Sequence, residues 1–467
     1  MNSTFNKLQF FLMNLSGRIF LVVSLFIFAS CEKPENKVDS GTGNHPDQYE
    51  TPFQNVPAAA DIVMYEINQR AFSVQGNLTG ILPRLDSIKD LGVNVIWLMP
   101  IHPIGAVNSV NSPYSVKNYL EVNPEYGTLE DLRTLVREAH KRNMAVILDW
   151  VANHTSWDNP WTMNKSWYTQ DANGNIIHPA GTNWMDVADL NFNNAYMRLE
   201  MIKAMKYWVL QANVDGYRCD AADWVPHAFW KQAIDTLRKI PNRQIIMLAE
   251  GARKDHFIAG FNLNFGWDYF GKLKNVFKNN HAATSLQGTH QAEYTGVPGD
   301  ARVLRFTSNH DECAWDDTPL GLFGGKAGAM AAFVLTAFSG GVPLIYNGQE
   351  VGCPVKLPFF SKSPINWTTN PDMLKAYKQI LAIRQSNPAA RQVNVNAMLG
   401  DSGVLGMHKI KDQKELLVIV NTTNRAKIIQ IPENISKKPW THPVQGPMSS
   451  ISSTYPLSPY QYEIFQK

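Results

Sequence analysis

A chain of 467 residues with 43 lysines and arginines against 40 aspartates and glutamates has a net charge of +3, and its basic residues are scattered. That excludes a nucleic-acid backbone as partner, because such binding needs clustered cations, and leaves a small or neutral ligand as the expectation. The length suits a barrel of roughly 250 to 400 residues plus a satellite domain, and 44% hydrophobic residues are enough for a packed enzyme core.

At the N-terminus, Lys7 and Arg18 precede an apolar run from Ile19 to Phe28 that ends in Phe28-Ala29-Ser30-Cys31. This is the layout of a signal peptide, and the run is too short for a normal membrane span. A cysteine directly after small residues resembles the bacterial lipobox, in which the sulfur takes the lipid and becomes the mature N-terminus. Residues 1–30 are therefore read as a signal peptide and 31–56, rich in Pro, Asn, Asp, Gly and Thr, as a lipidated flexible tether. The expected location is outside the cytoplasm, anchored through Cys31 to a bacterial membrane on its periplasmic or outer-surface face. Cys219, Cys313 and Cys353 are odd in number and lack metal-ligand spacing, so they imply small buried residues at strand ends and no disulfide framework.

From residue 62 onward, short β-rich apolar runs alternate with helical stretches, the pattern of parallel βα units. The runs are Ile62–Ile67, Val93–Met99, Ala145–Trp150, Val214–Cys219, Ile245–Ala249, Val303–Thr307 and Pro343–Tyr346, with a further strand near Phe261–Phe265. Between them, Leu132, Leu135, Val136 and Ala139 recur at helical spacing over Leu129–Arg142, and Thr128 and Asp131 are placed to form a capping box. Residues 195–212 make a similar helix. The stretch 154–190 is long, aromatic and rich in turns, and reads as a lobe inserted after the third strand. Within it, Asp171-Ala-Asn-Gly-Asn looks like half a calcium loop, but Thr182 stands where the closing Glu is needed, so a polar hairpin turn is expected. After Asn387-Pro388 come short alternating segments such as Glu415–Val420 and Lys427–Ile431. The fold class is therefore α/β: a (β/α)₈ TIM barrel over 57–387 that includes the lobe, then an antiparallel β-sandwich over 388–467.

Residues at the C-terminal ends of barrel strands face the active site, and the polar residues of this sequence collect there. Strand three runs into Asp149-Trp-Val-Ala-Asn153-His154, strand four into Arg218-Cys-Asp220, strand five into Glu250-Gly251, and strand seven into Asn309-His310-Asp311. Retaining hydrolysis of a glycoside needs one ionised carboxylate and one protonated carboxyl roughly 5–5.5 Å apart. Asp220 and Glu250, on adjacent strands, could meet that distance. Arg218, on the same strand face as Asp220, is placed to keep it ionised. Glu250, among carboxylates and partly buried, should hold its proton near neutrality, and Asp311 could stabilise the oxocarbenium-like charge.

The four motifs in this order resemble the α-amylase superfamily, glycoside hydrolase family 13, over roughly residues 60–467. By that resemblance Asp220 matches the nucleophile, Glu250 the acid/base and Asp311 the transition-state stabiliser. Arg218 matches the arginine beside the nucleophile, and His154 and His310 the histidines that bind hydroxyls of the sugar at the cleavage point. Asp149 matches the largely architectural aspartate of the first motif. Ser112-Pro-Tyr114-Ser-Val-Lys-Asn-Tyr119 looks like the loop after strand two, making Tyr114 the expected stacking platform. Asp186-Val-Ala-Asp189-Leu190 resembles the short motif near the end of the lobe, and Gly341–Glu350 the last strand and its turn, with Glu350 structural.

Many relatives follow the nucleophile with a Lys-His pair that helps bind the leaving-group side, whereas this chain has Ala222-Asp223-Trp224. The resemblance implies a calcium ion whose ligands would include Asn153 and Asp189. Trp157, Trp161, Trp167, Trp184, Trp224 and Trp315 lie in or near segments expected to rim the cleft, as sugar platforms or as lobe packing. The implied activity is retaining hydrolysis of α-glucans or malto-oligosaccharides by a monomer. A transglycosylase, or a non-catalytic carbohydrate-binding relative that has lost catalytic acids, are the alternatives.

Overall fold

The computed structural model describes residues 48–467. Ten strands precede the C-terminal region: β1 (Met64–Ile67), β2 (Val95–Leu98), β3 (Ala145–Val151), β4 (His154–Ser156), β5 (Val187–Asp189), β6 (Gly216–Asp220), β7 (Ile246–Ala249), β8 (Leu263–Phe265), β9 (Arg302–Arg305) and β10 (Val342–Tyr346). Eight of them close into a parallel barrel in the order β1-β10-β9-β8-β7-β6-β3-β2. Every residue of β3 is buried, as expected of a parallel strand covered on both faces. The eighth strand expected near Phe261–Phe265 is β8.

The helix Leu129–Lys141 shows how the local sequence fixes its own start. The Thr128 hydroxyl accepts from the Asp131 amide at 3.2 Å and the Asp131 carboxylate accepts from the Thr128 amide at 2.8 Å, a reciprocal cap worth about 1 kcal/mol. Leu132, Leu135, Val136 and Ala139 are its buried face. Gly216 opens β6 with φ +152°, and a Cβ there would meet the Ile246 carbonyl oxygen at 1.9 Å. Only glycine lets β6 and β7 approach at that point; β6 ends in Asp220, and Glu250 follows the last residue of β7.

The lobe after β3 contains the antiparallel pair β4–β5. Asp171 turns a polar hairpin: its carboxylate accepts the Asn173 and Asn175 amides, and Gln170 bridges to Ile176. Residues 48–56, the end of the expected tether, lie against the barrel. Phe53 stacks on His140 at 4.4 Å, the Tyr49 amide donates to the Leu210 carbonyl, and Asn213 donates to the Thr51 carbonyl. The aromatic at each end of Tyr49-Glu-Thr-Pro-Phe53 finds a partner, which composition alone does not reveal. The signal peptide, Cys31 and the rest of the expected tether lie outside the described residues.

Beyond the helix Pro371–Ser386 come β11 (Ala397–Gly400), β12 (Val404–Lys411), β13 (Lys414–Asn421), β14 (Lys427–Gln430), β15 (Trp440–His442), β16 (Gly446–Met448), β17 (Thr454–Leu457) and β18 (Tyr462–Gln466). They form a six-stranded sheet in the order β11-β12-β13-β18-β15-β16 and a β14-β17 pair, the architecture expected of the antiparallel sandwich. Cys219, Cys313 and Cys353 are buried and unpaired. Among the described residues no helix is long and apolar enough to cross a membrane.

Candidate active site

Strand register places the chemistry. In β3 and β6, Asp149 pairs with Arg218 and Val151 with Asp220, and in β6 and β7 Cys219 pairs with Ala249. Asp220 and Glu250 therefore emerge side by side at the same end of the barrel. Around them opens a cavity of about 740 Å³, lined by Tyr114, His154, Asp220, Glu250, His310 and Asp311, with Asp223, Trp184, Trp224, Trp267, Trp315, Phe359 and Phe360 further out.

The fully buried guanidinium of Arg218 organises three carboxylates. One nitrogen reaches Asp149 at 2.7 Å and Asp220 at 3.0 Å, and the other reaches Glu250 at 3.0 Å. The Ala221 amide also donates to Glu250 at 2.7 Å. Ala221 holds φ at +43°, a left-handed conformation that costs a β-carbon residue roughly 1 kcal/mol or more. That strain sits between Asp220 and Glu250 and aims the amide at Glu250.

The sequence suggested that Arg218 would keep Asp220 ionised and that Glu250 alone would be raised. In the structure, burial dominates for both. Glu250 is pushed up to about 7 by burial, opposed by Arg218 and reinforced by Asp220 and Asp311. Asp220 is pushed up to about 6 by burial, with Arg218 opposing and Asp149 and Asp311 adding to the rise. Sharing one cation among three acids leaves each with less of it, but the order is the one expected: Glu250 keeps its proton to higher pH.

Asp149 lies beneath the cavity, where its second oxygen accepts from the Trp97 indole and the Tyr114 hydroxyl, each at 3.1 Å. Tyr114 presents its ring to the cavity, stacks on His310 at 5.4 Å and lies 2.7 Å through its hydroxyl from His310 Nε2. His154 is buried and its pKa is lowered by desolvation to about 4, so a neutral imidazole faces the cavity.

His310 behaves oppositely. Burial works against its charge, but Asp311 and Glu66 outweigh burial and raise its pKa to about 9. Glu66 in β1 is fully buried and contacts His310 Nδ1 at 2.5 Å. Sequence reasoning missed Glu66, and the available signal was a carboxylate inside the apolar run Met64-Tyr65-Glu66-Ile67. Trp97, which bonds Asp149, and Phe359 and Phe360, on the cavity wall, were missed because nothing in their local sequence sets them apart from core residues.

Of the six tryptophans expected near the cleft, Trp184, Trp224 and Trp315 line it. Trp161 and Trp167 pack edge-to-face on each other, and Trp157 donates to the Met185 carbonyl, so these three support the lobe. Glu350 accepts from the Tyr65 hydroxyl at 2.6 Å and is buried, in keeping with a structural role.

Asn153 and Asp189 are brought together, because the Leu190 amide donates to the Asn153 carbonyl across β4–β5. Asp189 is raised by burial, which suits a cation ligand, but the Asn153 amide turns to the His154 ring. Calcium takes six to eight oxygens, and among the described residues no three His, Cys, Asp or Glu side chains converge as a metal site. The side-chain donor set is incomplete, and no step below passes through a metal.

Residues 42–266 match the family model of the alpha amylase catalytic domain. Over 425 residues the chain is 28% identical to Alpha-amylase 3 of Dictyoglomus thermophilum, covering 81% of each chain. It is 27% identical over 403 residues to the intracellular maltogenic amylase of Bacillus subtilis, covering 77% of this chain and 64% of that one. The crystal structure of an alpha-amylase from Lactobacillus plantarum superposes with a TM-score of 0.79 at 27% identity, covering 88% of this chain and 99% of the other. The chain carries an alpha-amylase catalytic domain. By these matches the protein is an α-amylase-type glycoside hydrolase.

Proposed function

We propose that the protein cleaves α-glucosidic bonds in starch-derived glucans or malto-oligosaccharides with retention, through a covalent glycosyl-enzyme. Asp220 is the nucleophile, Glu250 the acid/base and Asp311 the stabiliser of positive charge at the anomeric carbon. His154, His310 and Tyr114 hold the sugar at the cleavage point, while Asp149 and Arg218 fix the two acids. The observation that carries this reading is the single buried guanidinium of Arg218, whose two terminal nitrogens hold Asp220 and Glu250 at 3.0 Å each on adjacent strands.

In the first step the protonated Glu250 donates to the departing oxygen while Asp220 forms a bond to the anomeric carbon. In the second, Glu250 takes a proton from water as its oxygen displaces Asp220. The names of the relatives above support the substrate class. A further relative, the oligo-1,6-glucosidase of Parageobacillus thermoglucosidasius, is 30% identical over 203 residues, though that match spans only 35% of each chain.

Product profiles on amylose, pullulan, cyclodextrin and maltotriose test the substrate, and NMR of the first-formed anomer tests retention. Asp220→Asn and Glu250→Gln should each abolish turnover, and wild-type rates in either refute the assignment. Transfer to a sugar hydroxyl in place of water is the second reading, favoured by Trp184 and Trp224, which stack on each other at 5.3 Å in the cavity lining. Retention of all three acids, Arg218 and both histidines argues against a non-catalytic carbohydrate-binding role.

The domain boundaries, export, anchoring at Cys31 and a monomeric state belong to the same proposal. Membrane fractionation of the full chain against Cys31→Ser tests the anchor, and EDTA with calcium add-back tests a structural ion at Asn153 and Asp189.

A further inference from the structure

The helix Ala195–Gln211 buries one face in the barrel wall through Met197, Met201, Met205 and Trp208. A second row on its other side, Tyr196, Leu199, Lys203, Tyr207 and Leu210, recurs at helical spacing. Tyr196 and Leu199 are 77% and 55% exposed, and Leu120 is 40% exposed. Leu120, Leu199, Ile202, Tyr207 and Leu210 wall a groove of about 390 Å³ that also carries Lys203 and Lys206. A helix side that met only water would be polar along this row.

The N-terminal segment joins the barrel at this groove. The Tyr49 amide donates to the carbonyl of Leu210, a wall residue, at 2.7 Å. The Arg133 guanidinium lies 4.1 Å from the centre of the Tyr49 ring, and Gln48 accepts from Arg243 at 3.3 Å. Cys31, the expected lipid site, precedes Gln48 by so short a stretch that even a fully extended chain carries it at most about 60 Å. Apart from Pro34 and Pro46, Val38 is the only apolar side chain between them, so this stretch lacks the groups to fill the groove itself.

Charge points the same way. Glu50 and Glu130 are taken up by Arg133 and Arg137, and Glu200 meets Lys203 at 3.3 Å. Lys206 in the groove, and Lys239 and Arg243 in the loop beside Phe53 and Gln54, have no carboxylate within ion-pair distance among the described residues. The entry of the N-terminal segment therefore carries an apolar row bordered by uncompensated cations.

We propose that this face docks on the anionic phospholipid headgroups of the membrane that holds the anchor. This rests on the anchor at Cys31 proposed above. Tethering makes the contact intramolecular, so a few side chains suffice. Leu120, Tyr196 and Leu199 enter the headgroup region, and Lys203, Lys206, Lys239 and Arg243 meet phosphate. Barrel helices run along the outer wall, so a barrel lying on this helix opens its catalytic mouth sideways, along the membrane, where a glucan can reach Asp220 and Glu250.

The test uses the full chain, lipidated in a bacterial host and reconstituted into phosphatidylcholine vesicles with and without phosphatidylglycerol. A fluorophore is attached at Leu199→Cys or, as a control, at Val444→Cys. Val444 is 79% exposed in the C-terminal domain, which packs on the β10 side of the barrel, opposite β6, where Lys409 donates to the Phe338 carbonyl. Cys219, Cys313 and Cys353 are buried and do not compete for the label. Flotation measures anchoring, and quenching by nitroxide-labelled lipid measures docking. The label at Leu199→Cys should be quenched on phosphatidylglycerol vesicles and the label at Val444→Cys should not. Lys203→Gln combined with Lys206→Gln should lower the docked-to-free ratio roughly 10- to 30-fold, the worth of two charges at an anionic surface, with flotation unchanged. Equal quenching of the two labels, or quenching of neither, on vesicles that carry the protein overturns the docking face. Quenching at Leu199→Cys that is the same without phosphatidylglycerol overturns the anionic partner. A chain that does not float refutes the anchor, and the docking face with it.

Discussion

Glu66→Gln isolates the charge that Glu66 places behind His310, because glutamine keeps the shape of the side chain while removing its charge. The pair is buried, with His310 Nδ1 at 2.5 Å from the carboxylate. Raising the His310 pKa from 6.5 to about 9 corresponds to about 3 kcal/mol of folding stability. A histidine whose folded pKa is raised contributes that stability fully below pH 6.5 and loses it as pH rises through the folded value. Glu66 is itself raised by burial, so part of that gain is offset at neutral pH and the histidine side sets the upper limit. Asp311 shares in raising His310 and remains in the variant, so the wild-type advantage over Glu66→Gln should be largest near pH 6 and shrink by about 1–2 kcal/mol by pH 9.5. Urea unfolding followed by tryptophan fluorescence at several pH values measures this, and NMR titration of the His310 imidazole reports the group directly. Parallel stability curves across that window, or a His310 pKa unmoved by the substitution, would refute the reasoning.

The catalytic pair should titrate as a unit, giving a narrow bell in kcat/KM with an acid limb near the value of about 6 at Asp220 and an alkaline limb near the value of about 7 at Glu250. In the proposed mechanism activity falls below the bell because Asp220 takes a proton and above it because Glu250 loses one; an alkaline limb near 4.5 would show that burial does not raise the acid. Arg218→Met leaves Asp149, Asp220 and Glu250 without their shared cation and should destabilise the fold by about 3–5 kcal/mol, as well as abolish turnover, measured by urea unfolding and initial rates. Asp223→Ala removes the acceptor for the Ala252 and Arg253 amides. Its kcat on α-glucosyl fluoride should drop about tenfold with a smaller change in KM, since about 1–3 kcal/mol of anchoring is lost beside Glu250. An unchanged kcat would mean that Glu250 is placed without that anchor.

The sequence made the strands and the acids legible for a common physical reason. A parallel barrel strand is a continuous apolar run, and a charged residue at its end can only face the open mouth. Asp149 lies within β3 and Asp311 in the segment after β9, but Asp220 and Glu250 announce themselves this way, at the ends of β6 and β7. Glu66 does not, because it lies within its strand and its partner His310 is 244 positions away. The sharing of Arg218 was likewise hidden, since spacing shows its neighbour Asp220 but not the reach of its second nitrogen to β7. Trp184 and Trp224 carried the right residue type, but only the fold shows that one comes from the lobe and the other from the turn after β6. Residues 48–56 misled because a polar composition reads as a tether even when Tyr49 and Phe53 each find a partner on the barrel.

Charge balance links these features. Asp149, Asp220, Glu250, Asp311 and Glu66 surround two cations, Arg218 and His310. Four of the carboxylates, Asp149, Asp220, Glu250 and Glu66, are raised by burial, because two cations do not offset that much charge in a low-dielectric site. Arg218 touches Asp149, Asp220 and Glu250 alike, but it opposes a larger rise at Glu250, which holds its proton to about 7. The same surplus of negative charge favours a transition state that gains positive charge at the anomeric carbon. Glu66 helps keep His310 charged, and that cation is, with Arg218, one of the two that oppose the rise at Asp220. Removing its charge should shift not only His310 but also the balance that sets the acid limb.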